Sequence, residues 1–222
     1  MSFFKKRIKA EDVKQGGGTS YIVNSGVYPV NIIAPIVSVS KGGSTSVDLF
    51  INHDGQDQII YGNLRISNND GNENEIGTKI FNQLLVVSGT EEVADPVDGE
   101  LPIGKKGAMK DVSVLEDLVD TEVLLWIQIE YGKYNGSITE KKVIRGFYQA
   151  GTSATAEEIV NESEAGIGYE KDSKYFDKVN YKDVTEADVT AWIAADRPKG
   201  TSGGGSKGGS KPSFGAKKKF GK

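Results

Sequence analysis

Residues 121–149 read TEVLLWIQIEYGKYNGSITEKKVIRGFYQ, and their alternation decides the fold class. Val123, Leu125, Ile127 and Ile129 fall on one side of an extended chain, and Leu124, Trp126 and Gln128 fall on the other. That period of two belongs to a strand. The segment YGKYNGS (131–137) supplies the reversal and KKVIRGFY (141–148) the return, so the stretch predicts a β-hairpin.

Working upstream, TSVDLFIN (45–52) alternates Val47, Leu49 and Ile51 with Asp48, Phe50 and Asn52. In QIIYGNLRIS (58–67), Ile60, Leu64 and Ile66 oppose Ile59, Tyr61, Asn63 and Arg65. Before both lies VYPVNIIAPIVSVS (27–40), rich in Val and Ile, whose Pro29 and Pro35 predict an edge strand or a bent one. The period changes in IGTKIFNQLLVVSG (76–89): Ile76, Ile80, Leu84 and Val87 recur at helical spacing, Phe81 and Leu85 widen the stripe, and Gly89 marks a stop. The stretch TEEVADPVDGELPIGKKGAMKD (90–111) reads as one long loop.

The order is therefore three strands, a helix, a long loop and two strands. A mainly β domain is expected, with a five-stranded OB-fold-like barrel over residues 25–150 and the helix between strands three and four. A basic N-terminal arm (1–24) carries Lys5, Lys6, Arg7 and Lys9. Residues 151–196 form an extension with short helices, one at SATAEEIVNES (153–163) and one at TEADVTAWIAAD (185–196), the latter opened by a Thr185–Asp188 capping pattern. Residues 197–222, GTSGGGSKGGSKPSFGAKKKFGK with Arg-Pro-Lys before it, are expected to be disordered.

Charge is divided by segment. Residues 197–222 carry eight Lys/Arg and no Asp/Glu, leaving nineteen basic residues against all 31 acidic ones, so the body stands near −12. The 222 residues contain no cysteine, which excludes disulfides, thiolate nucleophiles and zinc–sulfur sites. Neither a signal-length apolar run behind the basic start nor a membrane-spanning stretch is found, so a soluble intracellular protein is expected.

Catalytic chemistry is poorly represented. His53, the single histidine, sits in the turn NHDGQD (52–57). GKKGAMK (104–110) lacks the spacing of a phosphate-binding loop, and NNDGNENE (68–75) lacks the ligand positions of a calcium loop. Glu130 and Lys133 flank a turn with no nuclease spacing. No metal or cofactor is implied.

Single-strand binding is the chemistry the residues do offer, since it needs aromatic platforms on a sheet and cations along a backbone path. Phe50, Tyr61, Arg65 and Trp126 lie on the faces opposite the apolar ones, joined by Lys142 or Arg145 and by Phe147 or Tyr148 from the last strand. Lys105, Lys106 and Lys110 stand in the loop that borders the groove of an OB-fold. Lys217, Lys218 and Lys219 cluster in the tail beside Phe214 and Phe220.

The stretches MSFF (1–4), AEDVK (10–14), SGVYPVNI (25–32), LEDLVDTEVLLWIQIEYGKYNG (115–136) and KVIRGFY (142–148) resemble the OB-fold single-stranded-DNA-binding proteins of bacterial viruses, over about Ser25 to Gln149. The resemblance implies sequence-independent binding of single-stranded DNA in phage replication, recombination or repair, without catalysis, in the host cytoplasm. Phage or host replication proteins and further copies of the chain are partners it leaves open. The family ends in an acidic tail that recruits partners, and this chain ends in a basic one. Two other classes stand beside this expectation: a virion-associated, self-assembling structural protein, and a replication or transcription accessory factor contacting a polymerase.

Overall fold

The computed structural model describes residues 21–104 and 107–195. The N-terminal arm up to residue 20, Lys105, Lys106 and the tail with Lys217, Lys218 and Lys219 lie outside the described residues. The described chain is mainly β, a largely antiparallel sheet dressed by four α-helices.

The strands are β1 (Gly26–Val39), β2 (Thr45–His53), β3 (Gln56–Arg65), β4 (Val97–Leu101), β5 (Lys110–Val114), β6 (Thr121–Tyr134), β7 (Ser137–Gln149) and β8 (Asn180–Tyr181). The helices are α1 (Glu75–Ser88), α2 (Ala156–Val160), α3 (Ile167–Ser173) and α4 (Glu186–Ala194). Strand β1 organises the sheet. Its first half pairs with β6 from Gly26 opposite Ile127 to Ile32 opposite Thr121, and Ile36 and Val37 pair with β5. Its other edge pairs with β2, with a register shift between Ile32 and Ala34.

This corrects the edge-strand alternative for residues 27–40. Prolines cannot donate to a ladder, yet β1 is the central strand, because it is long, irregular at Ile32–Ala34 and changes partner there. Pro35 instead offers its carbonyl to Leu115 N at 3.1 Å.

The path β3-β2-β1-β6-β7 contains the five expected strands, with α1 between β3 and β6 in sequence. No ladder joins β3 to β7 among the described residues, so the sheet is not a closed barrel. The approach of these two strands is marked by side chains: Lys142 Nζ on β7 donates to Gln58 Oε1 on β3 at 3.3 Å.

The loop expected over residues 90–111 holds the short hairpin β4–β5, paired from Val97 opposite Val114 to Leu101 opposite Lys110. Five-residue strands with polar, exposed positions carry too little alternation to stand out in the sequence.

Two cores result. The main one gathers Ile32, Leu49, Ile51, Ile60 and Leu64 with Leu125, Ile127, Ile129 and Ile144, closed by Leu84 and Val87 of α1. Each fully buried aliphatic side chain there contributes about 1.5–3 kcal/mol. The smaller one lies on the opposite side of β1–β2, where Ala34, Ile36 and Phe50 are covered by Leu101, Ile103, Val112 and Val114 of the β4–β5 hairpin.

Helix α1 starts at Asn74, whose side chain accepts from Gly77 N at 2.9 Å, and ends at Gly89 in the left-handed region, φ 71°. Its inner face is set by Gly77, Leu84 and Val87, and Ile76 is 76% exposed, outside the stripe assigned to it. A Cβ at Gly77 would stand 1.8 Å from the Arg65 carbonyl oxygen, so the bare Cα is what lets α1 seat against the end of β3.

The extension is docked onto the sheet. Strand β8 runs parallel to β6, Asn180 opposite Glu130 and Tyr181 opposite Tyr131. Asn180 Nδ2 donates to Glu130 Oε2 at 2.9 Å, and Lys182 Nζ lies 2.9 Å from the same carboxylate. Thr185 and Asp188 form the expected capping box of α4, and Thr155 with Glu158 forms a second one on α2. Helix α3 (Ile167–Ser173) is not among the helices expected from the sequence.

Candidate nucleic-acid interface

Register on β2–β3 sorts side chains between the two faces. Leu49 pairs with Ile60 and Val47 with Leu64, all buried in the main core. The opposite face therefore carries Asp48, Phe50, Ile59, Tyr61 and Arg65. Tyr61 is 63% exposed, and Arg65, four residues on, is also exposed on that face. Burial raises the Tyr61 phenol above its ordinary value, and the Asp48 carboxylate adds to the rise.

Phe50 is on this face but is not available to a ligand. It is 6% exposed, because the β4–β5 hairpin folds over it. The hairpin leaves a cleft of about 560 Å³ beside Tyr61, whose lining includes Ile36, Ile103 and Val112. Four carboxylates, Asp48, Asp98, Glu100 and Asp111, also line it, against the ammonium of Lys110 among the described residues. Asp48 is held by Ser38 Oγ at 3.2 Å and Asp98 by Ser113 Oγ at 2.8 Å. The cleft beside Tyr61 is thus anionic among the described residues.

The outer face of β6–β7 is covered by the extension. Phe176 meets the Trp126 ring edge-on at 5.2 Å between centroids, and Tyr148 and Tyr169 pack around the same phenylalanine. Trp126 is therefore a covered ring, not an open platform. Tyr148 donates from its hydroxyl to Asp172 at 3.0 Å, and burial first, then the Asp172 charge, push its phenol far above the ordinary range. Phe147 is 3% exposed in the main core, which removes it from any interface.

The two β7 cations singled out from the sequence, Lys142 and Arg145, part ways. Lys142 pairs with Ile129 in register and so points to the main-core side, where burial pushes its ammonium down while Glu140 opposes the shift. Arg145 sits at the register shift beside Ile127 and is exposed; its Nε donates to Gln128 Oε1 at 2.7 Å, and its Nη2 reaches the same oxygen. Gln128 in turn donates to the Lys178 carbonyl at 3.2 Å, so Arg145 is tethered to the extension. Arg145 also lines a pocket of about 450 Å³ with Trp126, Gly146, Glu158 and Lys171.

Of the positions predicted from sequence, the structure brings Tyr61 and Lys110 to one cleft, with Arg65 further along the same face of β3 and outside the cleft lining, and places Trp126 and Arg145 elsewhere. The sequence reading missed the carboxylates of the cleft, since Asp98, Glu100 and Asp111 belong to the overlooked hairpin. It also missed Tyr134, 70% exposed beside Lys133 at the tip of β6–β7. The only signal for Tyr134 is its place in a turn.

No group of three or more His, Asp or Glu residues that could hold a metal occurs among the described residues. No helix among them is long and apolar enough to cross a membrane. Compared with protein-family models and with curated proteins, the chain matches none.

Proposed function

We propose that the protein binds single-stranded DNA without sequence preference, on an OB-like frame, in phage DNA replication, recombination or repair, and that it works by binding alone. The observation that carries this reading is the pair Tyr61 and Arg65, exposed on one face of β3 within the strand path β3-β2-β1-β6-β7. An exposed ring stacks any base, and a guanidinium along the same strand neutralises a phosphate.

The four carboxylates of the neighbouring cleft repel phosphate, so the sugar–phosphate backbone runs on the Arg65 side with its bases turned toward Tyr61. Lys105 and Lys106, in the β4–β5 connection, and the eight cations of residues 197–222 supply the remaining positive charge. Trp126, covered by Phe176, takes no part.

The test is fluorescence anisotropy of a labelled oligothymidine with the full chain, at low and at moderate salt. Binding that weakens with salt and that drops in Tyr61→Ala supports the reading. Absence of binding at low salt, or binding unchanged in both Tyr61→Ala and Arg65→Gln, sinks it.

A further inference from the structure

The cleft between the β4–β5 hairpin and the β1–β2–β3 face has a use that does not involve phosphate. Its floor is apolar, from Ile36, Ile103 and Val112, and the exposed Tyr61 ring forms one wall. Its rim carries Asp98, Glu100 and Asp111, all exposed, and Asp48 lies deeper, nine-tenths buried. Such a groove fits a ligand that alternates cations with a ring.

We propose that this cleft seats the C-terminal segment of the same chain, with Lys217, Lys218 and Lys219 on the carboxylate rim and Phe220 on the apolar floor. The chemistry is complementary on both counts: residues 197–222 hold eight Lys/Arg, no Asp/Glu, and the two rings Phe214 and Phe220. Opposite charges in a concave, partly desolvated site attract more than on an open surface.

Reach does not limit the contact. The described chain ends at Ala195, and the residues from there to Lys217 can span up to roughly 70 Å. A body of this size is only about 40 Å across, so the segment reaches the cleft from any face. A nucleic-acid phosphate is the wrong sign for this rim, and a second copy's tail is separated from the chain's own by the experiment below. The inference does not rest on the single-strand reading and is tested without nucleic acid.

The experiment is cross-linking of the full chain at low salt with a short amine-reactive reagent, followed by peptide mapping. Lys110, on the cleft, is the reporter amine, with Lys79 and Lys171 as references away from it. Links from Lys110 to Lys217, Lys218 or Lys219 are expected to dominate those to Lys79 and Lys171. They fall about tenfold in the variant Asp98→Asn, Glu100→Gln, Asp111→Asn, which removes three ion pairs but no cross-linkable group, and fall likewise in about 0.5 M salt. A tail variant, Phe220→Ser, lowers them without touching the folded body. Equal links to all three lysines, or yields indifferent to the rim charges, overturn the proposal. So does a mixture of isotope-labelled and unlabelled chains in which the links join different chains.

Discussion

The ring of Phe176 stands edge-on to that of Trp126, with centroids 5.2 Å apart and planes at 68°. This contact holds the extension against the outer face of β6–β7 and partly covers that face. Phe176→Ala is expected to cost about 2 kcal/mol, below the fully buried range because the ring is only partly buried. Chemical denaturation gives the stability, and a red shift of tryptophan emission reports the uncovered indole.

Gly77 tolerates no side chain. A Cβ there meets the Arg65 oxygen at 1.8 Å and the Arg65 carbonyl carbon at 2.7 Å, both backbone atoms that no rotamer change relieves. Gly77→Ala therefore forces α1 off the end of β3 and destabilises by about 3 kcal/mol or more, although alanine favours helices elsewhere. Thermal unfolding checks this, with Ile76→Ala, an exposed neighbour, expected to shift little.

Glu158 organises the α2–α3 junction. Its carboxylate accepts from Thr155 N at 2.9 Å, Gly166 N at 3.1 Å and Gly168 N at 2.6 Å. Burial acts to raise its pKa, but these backbone donors outweigh it and hold the group below the ordinary carboxylate value. The unfolded chain then binds the proton first on acidification, so this contribution is present above the unfolded value and is lost as pH falls through the folded one. Glu158→Gln should cost about 1–3 kcal/mol at neutral pH and flatten the acid limb of stability against pH.

Lys142 behaves in the opposite sense. Burial lowers its ammonium in the folded state, so the unfolded chain holds the proton to higher pH and stability rises as the medium becomes alkaline. In Lys142→Met that rise disappears, and the difference between the two denaturation midpoints narrows with increasing pH. A constant difference would show that the Gln58 hydrogen bond, not the charge, sets the effect of the substitution.

On the single-strand reading proposed above, Tyr61 and Arg65 would divide the work of binding. Loss of a stacking ring in Tyr61→Ala should weaken oligothymidine binding by roughly tenfold or more with the salt slope preserved. Arg65→Gln should lower the slope by about 0.7, the value for one phosphate of a single strand. Titrations across a series of salt concentrations separate the two, and identical slopes in both variants would contradict the division.

Much of this architecture is local and so was legible in the chain. Alternation in residues 45–52, 58–65 and 121–131 placed one face of each strand in the core, because burial of alternate side chains is what a half-covered strand requires. The Gly89 stop and the Thr185–Asp188 cap followed from backbone groups that a helix end leaves unpaired. The exposure of Tyr61 and Arg65 followed from the same alternation.

Tertiary structure alone decided which outward faces remain outward. Phe50 and Trp126 occupy positions equivalent to Tyr61 in the strand pattern, yet one lies under the β4–β5 hairpin and the other under Phe176. Short polar strands and an aperiodic segment provide those covers, and neither has a sequence signal strong enough to say where it will pack. The carboxylates of the cleft converge in the same way, Asp48 from β2 and Asp98, Glu100 and Asp111 from the hairpin. Alternation along one strand determines which side chains oppose each other, whereas the contents of a surface groove depend on contacts between segments tens of residues apart.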